Sequence, residues 1–306
     1  MRSSRTGQTV DCKKKTDAVI LTYRPGREFG DILEKLEGQH TPLNRIIVIN
    51  TEKKYYDELS LEDKRLEAYD NVEVHHIKKE EFDHGGTRRY AATLSDADHL
   101  IYMTQDAVPV SDMLVDELIR PFEDETVAVT YARQIPKRDA SPIERYNRSF
   151  NYPDEDIKKT KEDVERLGIK TYFCSDVCAC YRKDIYQKLG GHIEKAVFNE
   201  DMIYACKAVN AGYGIYYASK ALVYHSHDYS PMMQYKRNTD LGMSQAEHPE
   251  VFGNVSSVGE GKKLVKGCIG YLIKNGYWYR IPEFLAQCAG RYLGYRKGIR
   301  TVRKGQ

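Results

Sequence analysis

The sequence predicts an α/β fold: a mostly parallel sheet flanked by helices, followed by a C-terminal helical extension. Three observations carry this. Short β-branched runs alternate with helical patterns over the first hundred residues, which is the mark of βαβ units. The residues just after each early run are polar or glycine, as at the ligand-bearing carboxyl ends of parallel strands. Residues 262–306 are amphipathic and strongly basic, unlike the rest of the chain. The expected organisation is a short tail over 1–16, one α/β domain over 17–260 and a basic helical tail over 261–306.

The first strand is expected at 17–23 (DAVILTY), with a helix near 28–38 after it. Strands at 45–50 (RIIVIN), 72–77 (VEVHHI) and 99–104 (HLIYMT) alternate with helices near 54–68 and 85–96. A fifth apolar run at 127–131 follows a helix near 112–122. From Pro136 to about Gly168 the chain is polar, charged and rich in Tyr and Arg, which reads as a long loop with helical pieces; such loops in compact domains are usually functional. Apolar residues between Tyr172 and Tyr181, a helix near 199–211 and a strand near 221–225 form a second ordered block. Beyond Gly261 two amphipathic helices are expected, interrupted near Pro282.

At 306 residues and 41% hydrophobic content the chain can bury a sizeable core. Its seven cysteines are an odd number without framework spacing, which points to a reducing compartment. Cys174, Cys178 and Cys180 suggest a thiolate metal site, but no Cys/His pair at finger-like spacing completes it, and small buried hydrophobes are the plainer reading. No apolar stretch approaches the roughly 20 residues that span a bilayer, and the basic N-terminus lacks a signal-peptide apolar region. The expected location is therefore cytoplasmic, with peripheral contact at the inner face of the cell membrane. Residues 262–306 hold eleven Lys/Arg against one acid, Glu283, which leaves the main body net acidic. Cationic helices carrying Trp278, Tyr279 and Phe284 suit an anionic membrane surface; packing against the domain with the charges solvated is the alternative. No nucleic-acid motif accompanies the charge, so no nucleic-acid partner is expected.

The residues after the strands are where chemistry is sought first. Asp106, in Thr104-Gln105-Asp106-Ala107, places a carboxylate where it can hold Mg²⁺ or Mn²⁺, cations that bridge substrate phosphates. His225-Ser226-His227-Asp228 follows another short strand and offers imidazole. Only one of the two histidines is expected at the metal. Asn199-Glu200-Asp201 opens a helix, which gives Asn199 a capping role and the acids a dipole role. Asp201 can equally serve as a general base, and both readings can hold together. Gly85-Gly86-Thr87-Arg88 could bring backbone amides and a guanidinium to a diphosphate, although a turn into a helix is reason enough for two glycines. Gln234-Tyr235-Lys236-Arg237 adds cations on a later helix, where a solvated face is the default.

In order and spacing these pieces resemble the family 2 glycosyltransferases of the GT-A fold, most closely the bacterial rhamnosyltransferases. The matching stretches are Phe82-Asp83-His84-Gly85-Gly86-Thr87-Arg88, Thr104-Gln105-Asp106-Ala107-Val108-Pro109, Phe150-Asn151-Tyr152-Pro153, Phe198-Asn199-Glu200-Asp201-Met202 and His225-Ser226-His227-Asp228-Tyr229-Ser230. Coverage runs from about Asp17 to about Gln245. The resemblance implies a Rossmann-like GT-A sheet. Asp106 resembles the metal-binding acid of the family's Asp-x-Asp motif, shortened here to Gln-Asp-Ala, and His225 resembles the imidazole ligand supplied from the far side. Asp201 resembles the catalytic base of the Glu-Asp motif. Thr22, Arg24, Asn50, His84, Gly85, Gly86, Arg88 and Gln105 fall where the family meets its nucleotide sugar. Gln234 and Arg237 match the Gln-x-x-Arg pattern, with Asn238 where processive members carry Trp.

The reaction so implied is an inverting displacement at the anomeric carbon, with Mn²⁺ or Mg²⁺ as cofactor. Its implied donor is dTDP-rhamnose, and its implied acceptor a growing cell-wall or capsular saccharide on a lipid carrier. Two rivals stand beside this reading. A sugar-nucleotide nucleotidyltransferase would want a glycine-rich basic loop after the first strand, where Tyr23-Arg24-Pro25-Gly26-Arg27 has one glycine. The reduced Asp-x-Asp leaves room for a non-catalytic saccharide-binding or membrane scaffold.

Overall fold

Asp17, Ala18, Val19 and Ile20 are all fully buried, so the first strand is covered on both faces. The computed structural model that places them describes residues 14–253 and 258–305; residues 1–13 of the expected tail, Cys12 among them, lie outside the described residues. The strands are β1 (Thr16–Tyr23), β2 (Arg45–Thr51), β3 (Val72–Ile77), β4 (His99–Thr104), β5 (Val108–Pro109), β6 (Val127–Ile135), β7 (Ile157–Lys159), β8 (Cys178–Arg182) and β9 (Gly214–Tyr224). The helices are α1 (Glu28–Glu37), α2 (Lys53–Glu62), α3 (His84–Leu94), α4 (Leu114–Ile119), α5 (Pro142–Asn151), α6 (Val164–Leu167), α7 (Lys183–Lys188), α8 (Glu200–Asn210), α9 (Pro231–Glu247), α10 (Pro249–Phe252), α11 (Val258–Lys274) and α12 (Ile281–Gly305).

The sheet runs in the order β3-β2-β1-β4-β8-β6-β9-β5, with β7 added to β9. β1, β2, β3 and β4 are mutually parallel. β8 is antiparallel to both β4 and β6, and β9 is parallel to β6. The carboxyl ends of β1, β2, β4, β6 and β9 therefore share one edge with the amino end of β8, and a ligand crevice belongs outside that edge. Side chains alternate across the sheet. Val19, Leu21, Ile47, Ile49 and Tyr102 enter one core layer, while Ala18, Ile20, Ile46, Val48 and Met103 enter the other. Helix α1 seals the second layer with Phe29, Ile32, Leu33 and Leu36, one face at helical spacing.

The segment from Pro136 to Gly168 is more regular than a long loop: it forms α5, the short edge strand β7 and α6. Ser141 starts α5 by accepting a hydrogen bond from the Glu144 amide at 3.2 Å. The C-terminal helices are docked. Ile143 of α5 packs with Cys268 and Leu272 of α11 and Phe284 of α12, and α12 lies along α9. Small residues bring α12 and α9 together: a Cβ added at Gly294 would run into the Tyr235 carbonyl, and one at Gly298 into the Thr239 carbonyl. The expected boundary at 260/261 falls inside α11. Among the described residues no helix is long and apolar enough to cross a membrane.

Candidate active site

Asp106 sits in the turn between β4 and β5. Its Oδ2 lies 3.0 Å from His227 Nε2 and 3.4 Å from His225 Nε2. One ligand atom from each of the three falls within 4.8 Å of the others. The expectation that only one histidine would reach this point is corrected: both do, as residues two apart in extended backbone share a face. β9 ends at Tyr224, so His225 and His227 belong to a loop that curls both rings onto one carboxylate. A supporting set of contacts aims them. Gln134 Oε1 lies 2.9 Å from His225 Nδ1, Gln134 Nε2 donates to Ser175 Oγ at 2.9 Å, and the His227 amide donates to Glu144 Oε1 at 3.3 Å. With Nδ1–H held by Gln134, His225 presents Nε2 as a lone-pair donor. Burial would raise the Asp106 carboxyl, but His225 and His227 hold it far below the usual range; burial pushes the His225 imidazole down. An ionised carboxylate beside neutral imidazole is the state a divalent cation needs, and the donor set fits one.

Asp201 occupies the first turn of α8. Its Oδ2 accepts from the Asp176 amide at 3.2 Å and its Oδ1 from the Met202 amide at 2.7 Å. Asn199 does not cap this helix with its side chain as expected: it sits in the left-handed region at φ 64° and donates instead to Ser244 Oγ at 3.2 Å. Asparagine tolerates that conformation, and it turns Asp201 into the cleft. Burial, then Glu200, then Asp176 raise the Asp201 carboxyl well above its ordinary value. Asp176 behaves oppositely, because His192 and Arg88 outweigh its burial and lower it.

Arg88 is given other work than a diphosphate contact. It is buried, in ion-pair contact with Asp176 at 2.9 Å and Glu200 at 3.0 Å, and so neutralises the two acids flanking Asp201. The glycines have local roles. The Gly86 amide donates to Asp83 Oδ1 at 2.8 Å, which caps α3 and leaves that amide no free role, while Gly85 lacks a side chain because the Ile193 carbonyl lies against it. His84, the first residue of α3, does face the cleft beside Phe198.

One cavity of about 600 Å³ is lined by Asp106, His225 and Asp201 together with His84, Arg88, Gln234 and Arg237. Arg237 lies over the rings of Phe198 and Tyr229, at 4.8 and 5.6 Å from their centroids. Thr22, Arg24, Asn50 and Gln105 line the same sheet edge beside the cavity rather than its wall. Thr22 donates to Asn50 Oδ1 at 3.0 Å and Asn50 Nδ2 lies 3.0 Å from His76 Nδ1, so these buried groups are spent on each other. Gln105 clamps the end of β1, accepting from the Tyr23 amide at 2.8 Å and donating to its carbonyl at 3.0 Å. Arg24, at φ 50°, is exposed and stacks on Tyr23 and Tyr55.

The family model for glycosyl transferase family 2 matches residues 17–190, the span that holds β1 to β8 and Asp106. The chain is a family 2 glycosyltransferase. Two curated relatives are similar along almost the whole length. One is the O-antigen chain rhamnosyltransferase RfbN of Salmonella typhimurium strain LT2, 36% identical over 93% of this chain and 89% of the relative. The other is the O-antigen chain rhamnosyltransferase WbaN of Salmonella anatum, 35% identical over 92% and 88%. Among solved structures, the mannosyltransferase PcManGT of Pyrobaculum calidifontis in complex with GDP-Man and Mn²⁺ has the same fold, with TM-score 0.63, 11% identity and coverage of 94% and 87%. S. aureus TarS 1–349 follows with TM-score 0.53, 15% identity and coverage of 95% and 92%. Membership of this family sets the nucleotidyltransferase reading aside.

In this glycosyltransferase, sequence reasoning missed several cavity residues. His227 was set aside, although its place two residues after His225, on the same side of an extended chain, was the signal that could have found it. Asp176 and Glu144 stand outside every quoted stretch, and Glu144 meets Arg148 four residues on, at 2.6 Å, a helical ion-pair spacing the sequence does display. Cys174, Cys178 and Cys180 are buried, and burial pushes all three thiols up, which is the behaviour of small hydrophobes rather than metal thiolates.

Proposed function

We propose that the enzyme transfers L-rhamnose from dTDP-rhamnose, with inversion, to a hydroxyl of a lipid-linked saccharide of the O-antigen kind. The observation that carries this is the cavity itself: Asp201, Asp106, His225 and His227 line one space in a chain 36% identical to an O-antigen rhamnosyltransferase. A base, a cation site and room for a nucleotide sugar are what such a displacement requires.

Asp201 accepts the proton of the acceptor hydroxyl as that oxygen bonds to the anomeric carbon. The bond from that carbon to the diphosphate oxygen breaks, and its electron pair leaves with the nucleoside diphosphate. A carboxyl raised by burial and by neighbouring acids is the stronger base. Asp106, His225 and His227 would hold a divalent cation, which neutralises charge on the departing diphosphate. Two imidazoles among three donors suit Mn²⁺ better than Mg²⁺, which prefers oxygen ligands and gives up water reluctantly. Arg24, Tyr23 and Tyr55 offer stacking surfaces for the base at the rim. Residues 262–306, with exposed Trp278, Tyr279, Tyr292 and Leu293, would contact the inner face of an anionic membrane that carries the acceptor.

A donor screen with a lipid-linked acceptor mixture, read by product mass, tests this reading. Addition of one deoxyhexose from dTDP-rhamnose is expected. Addition of a hexose or N-acetylhexosamine instead, with none from dTDP-rhamnose, rejects the donor.

A further inference from the structure

Four arginines line the active cavity, and their partners divide them into two pairs. Arg88 is matched by Asp176 and Glu200, and Arg148 by Glu144, so these charges are satisfied within the protein. Arg237 rests on two aromatic rings. Arg291 has no carboxylate in ion-pair contact among the described residues, and Glu144, a carboxylate in its field, is turned to Arg148 and to the His227 amide. Burial lowers the Arg291 guanidinium below its ordinary value, and Cys288, Glu144 and Cys268 offset this only in part. A half-buried cation without a partner costs stability unless something else supplies the counter-charge.

We propose that Arg291, carried into the cleft by α12, binds the diphosphate of the nucleotide donor together with Arg237 of α9. The inference rests on the glycosyltransfer reading above and adds a residue from the basic tail to the donor site. Geometry supports it. A Cβ at Gly290 would press on the Pro231 carbonyl, so α12 lies hard against the start of α9 one residue before Arg291. Two guanidiniums from helices locked side by side then share a cavity with the cation site. Planar guanidinium forks match phosphate oxygens bidentately, and the charge that grows on the departing diphosphate strengthens those hydrogen bonds.

Calorimetric titration of the full chain with dTDP and with dTMP, in the presence of Mn²⁺, tests the assignment in wild type, Arg291→Met and Arg291→Lys. The Met variant should lose about tenfold or more in dTDP affinity and no more than about twofold in dTMP affinity, with Lys between. Its thermal midpoint should stay level or rise, because an uncompensated, half-buried charge is gone. dTDP binding within about twofold of wild type, or equal losses for both nucleotides, overturns the proposal. So does unchanged dTDP affinity with a raised KM for the lipid-linked acceptor, which would give Arg291 to the acceptor instead. Wild type that binds neither dTDP nor dTMP would fail at the underlying function, a result distinguishable from failure in the variant alone.

Discussion

Asp201 and Arg88 show how residues far apart in the chain divide one task. Three acids crowd this corner, and Arg88 compensates two of them, leaving Asp201 the one whose proton affinity rises. Loss of Arg88 would strand two buried carboxylates, so Arg88→Met is expected to lower stability by about 3–5 kcal/mol, measured by denaturant titration. No spacing rule reveals this pairing, because Asp176 and Glu200 come from other elements. Asp106, Asp201 and His225 were legible because each follows a strand or opens a helix, and His227 was legible from the same stretch, two residues after His225 on one side of an extended chain. Lys159 offers a second measurement. It is buried, donating to the Tyr131 hydroxyl at 3.1 Å and to the Lys170 carbonyl at 3.2 Å, and desolvation depresses its pKa to about 7. The unfolded lysine, at 10.5, binds more protons than the folded one between pH 7 and 10.5, so its contribution to stability rises with pH across that window and is flat below it. Buried thiols and tyrosines titrate with the opposite sign at the alkaline end. The stability difference between wild type and Lys159→Met isolates the effect: it should grow from pH 7 to about 10, and a pH-independent difference would contradict the burial argument.

At the scale of elements, the seam between α9 and α12 decides whether the basic tail belongs to the cleft. Gly294 sits where any side chain meets the Tyr235 carbonyl, whereas a Cβ at Gly270 of α11 meets nothing within 4 Å. The same substitution should therefore act with opposite signs. Gly294→Ala is expected to destabilise by about 1–3 kcal/mol through overpacking and to speed protease cleavage of α12. Gly270→Ala is expected to stabilise by about 0.5–1 kcal/mol through helix propensity. Equal effects by thermal unfolding would mean that the seam is not tightly packed. The glycines at 290, 294 and 298 were visible at four-residue spacing in a stretch that reads as a solvated amphipathic tail. Strands β1, β2 and β4 were readable almost to the residue because strands buried on both faces become continuous apolar runs, while β3, a half-exposed edge strand, was read from its β-branched residues. β7 and α5 were harder: a three-residue edge strand has no period to read, and α5 sets Ile143, Tyr146 and Phe150 at helical spacing inside an otherwise polar stretch.

For the whole molecule, the sheet edge unites the argument. Parallel β1, β2 and β4 end beside antiparallel β8 and parallel β6 and β9, so Asp106, Gln134, Asp176 and His225 converge although the chain visits them far apart. The docked tail leaves Trp278, Tyr279 and Tyr292 exposed beside its cations. Vesicles containing anionic lipid should therefore sediment the full chain more strongly than zwitterionic ones, with binding that weakens as salt rises; equal binding to both would remove the membrane role. The central claim is that Asp201 takes the acceptor's proton in a cleft that binds the donor independently of it. The most direct measurement is the rate of rhamnose transfer from dTDP-rhamnose by Asp201→Asn, taken beside its affinity for dTDP. The account expects transfer to fall by about 10²–10⁴-fold with dTDP affinity unchanged; transfer within a few-fold of wild type would contradict it.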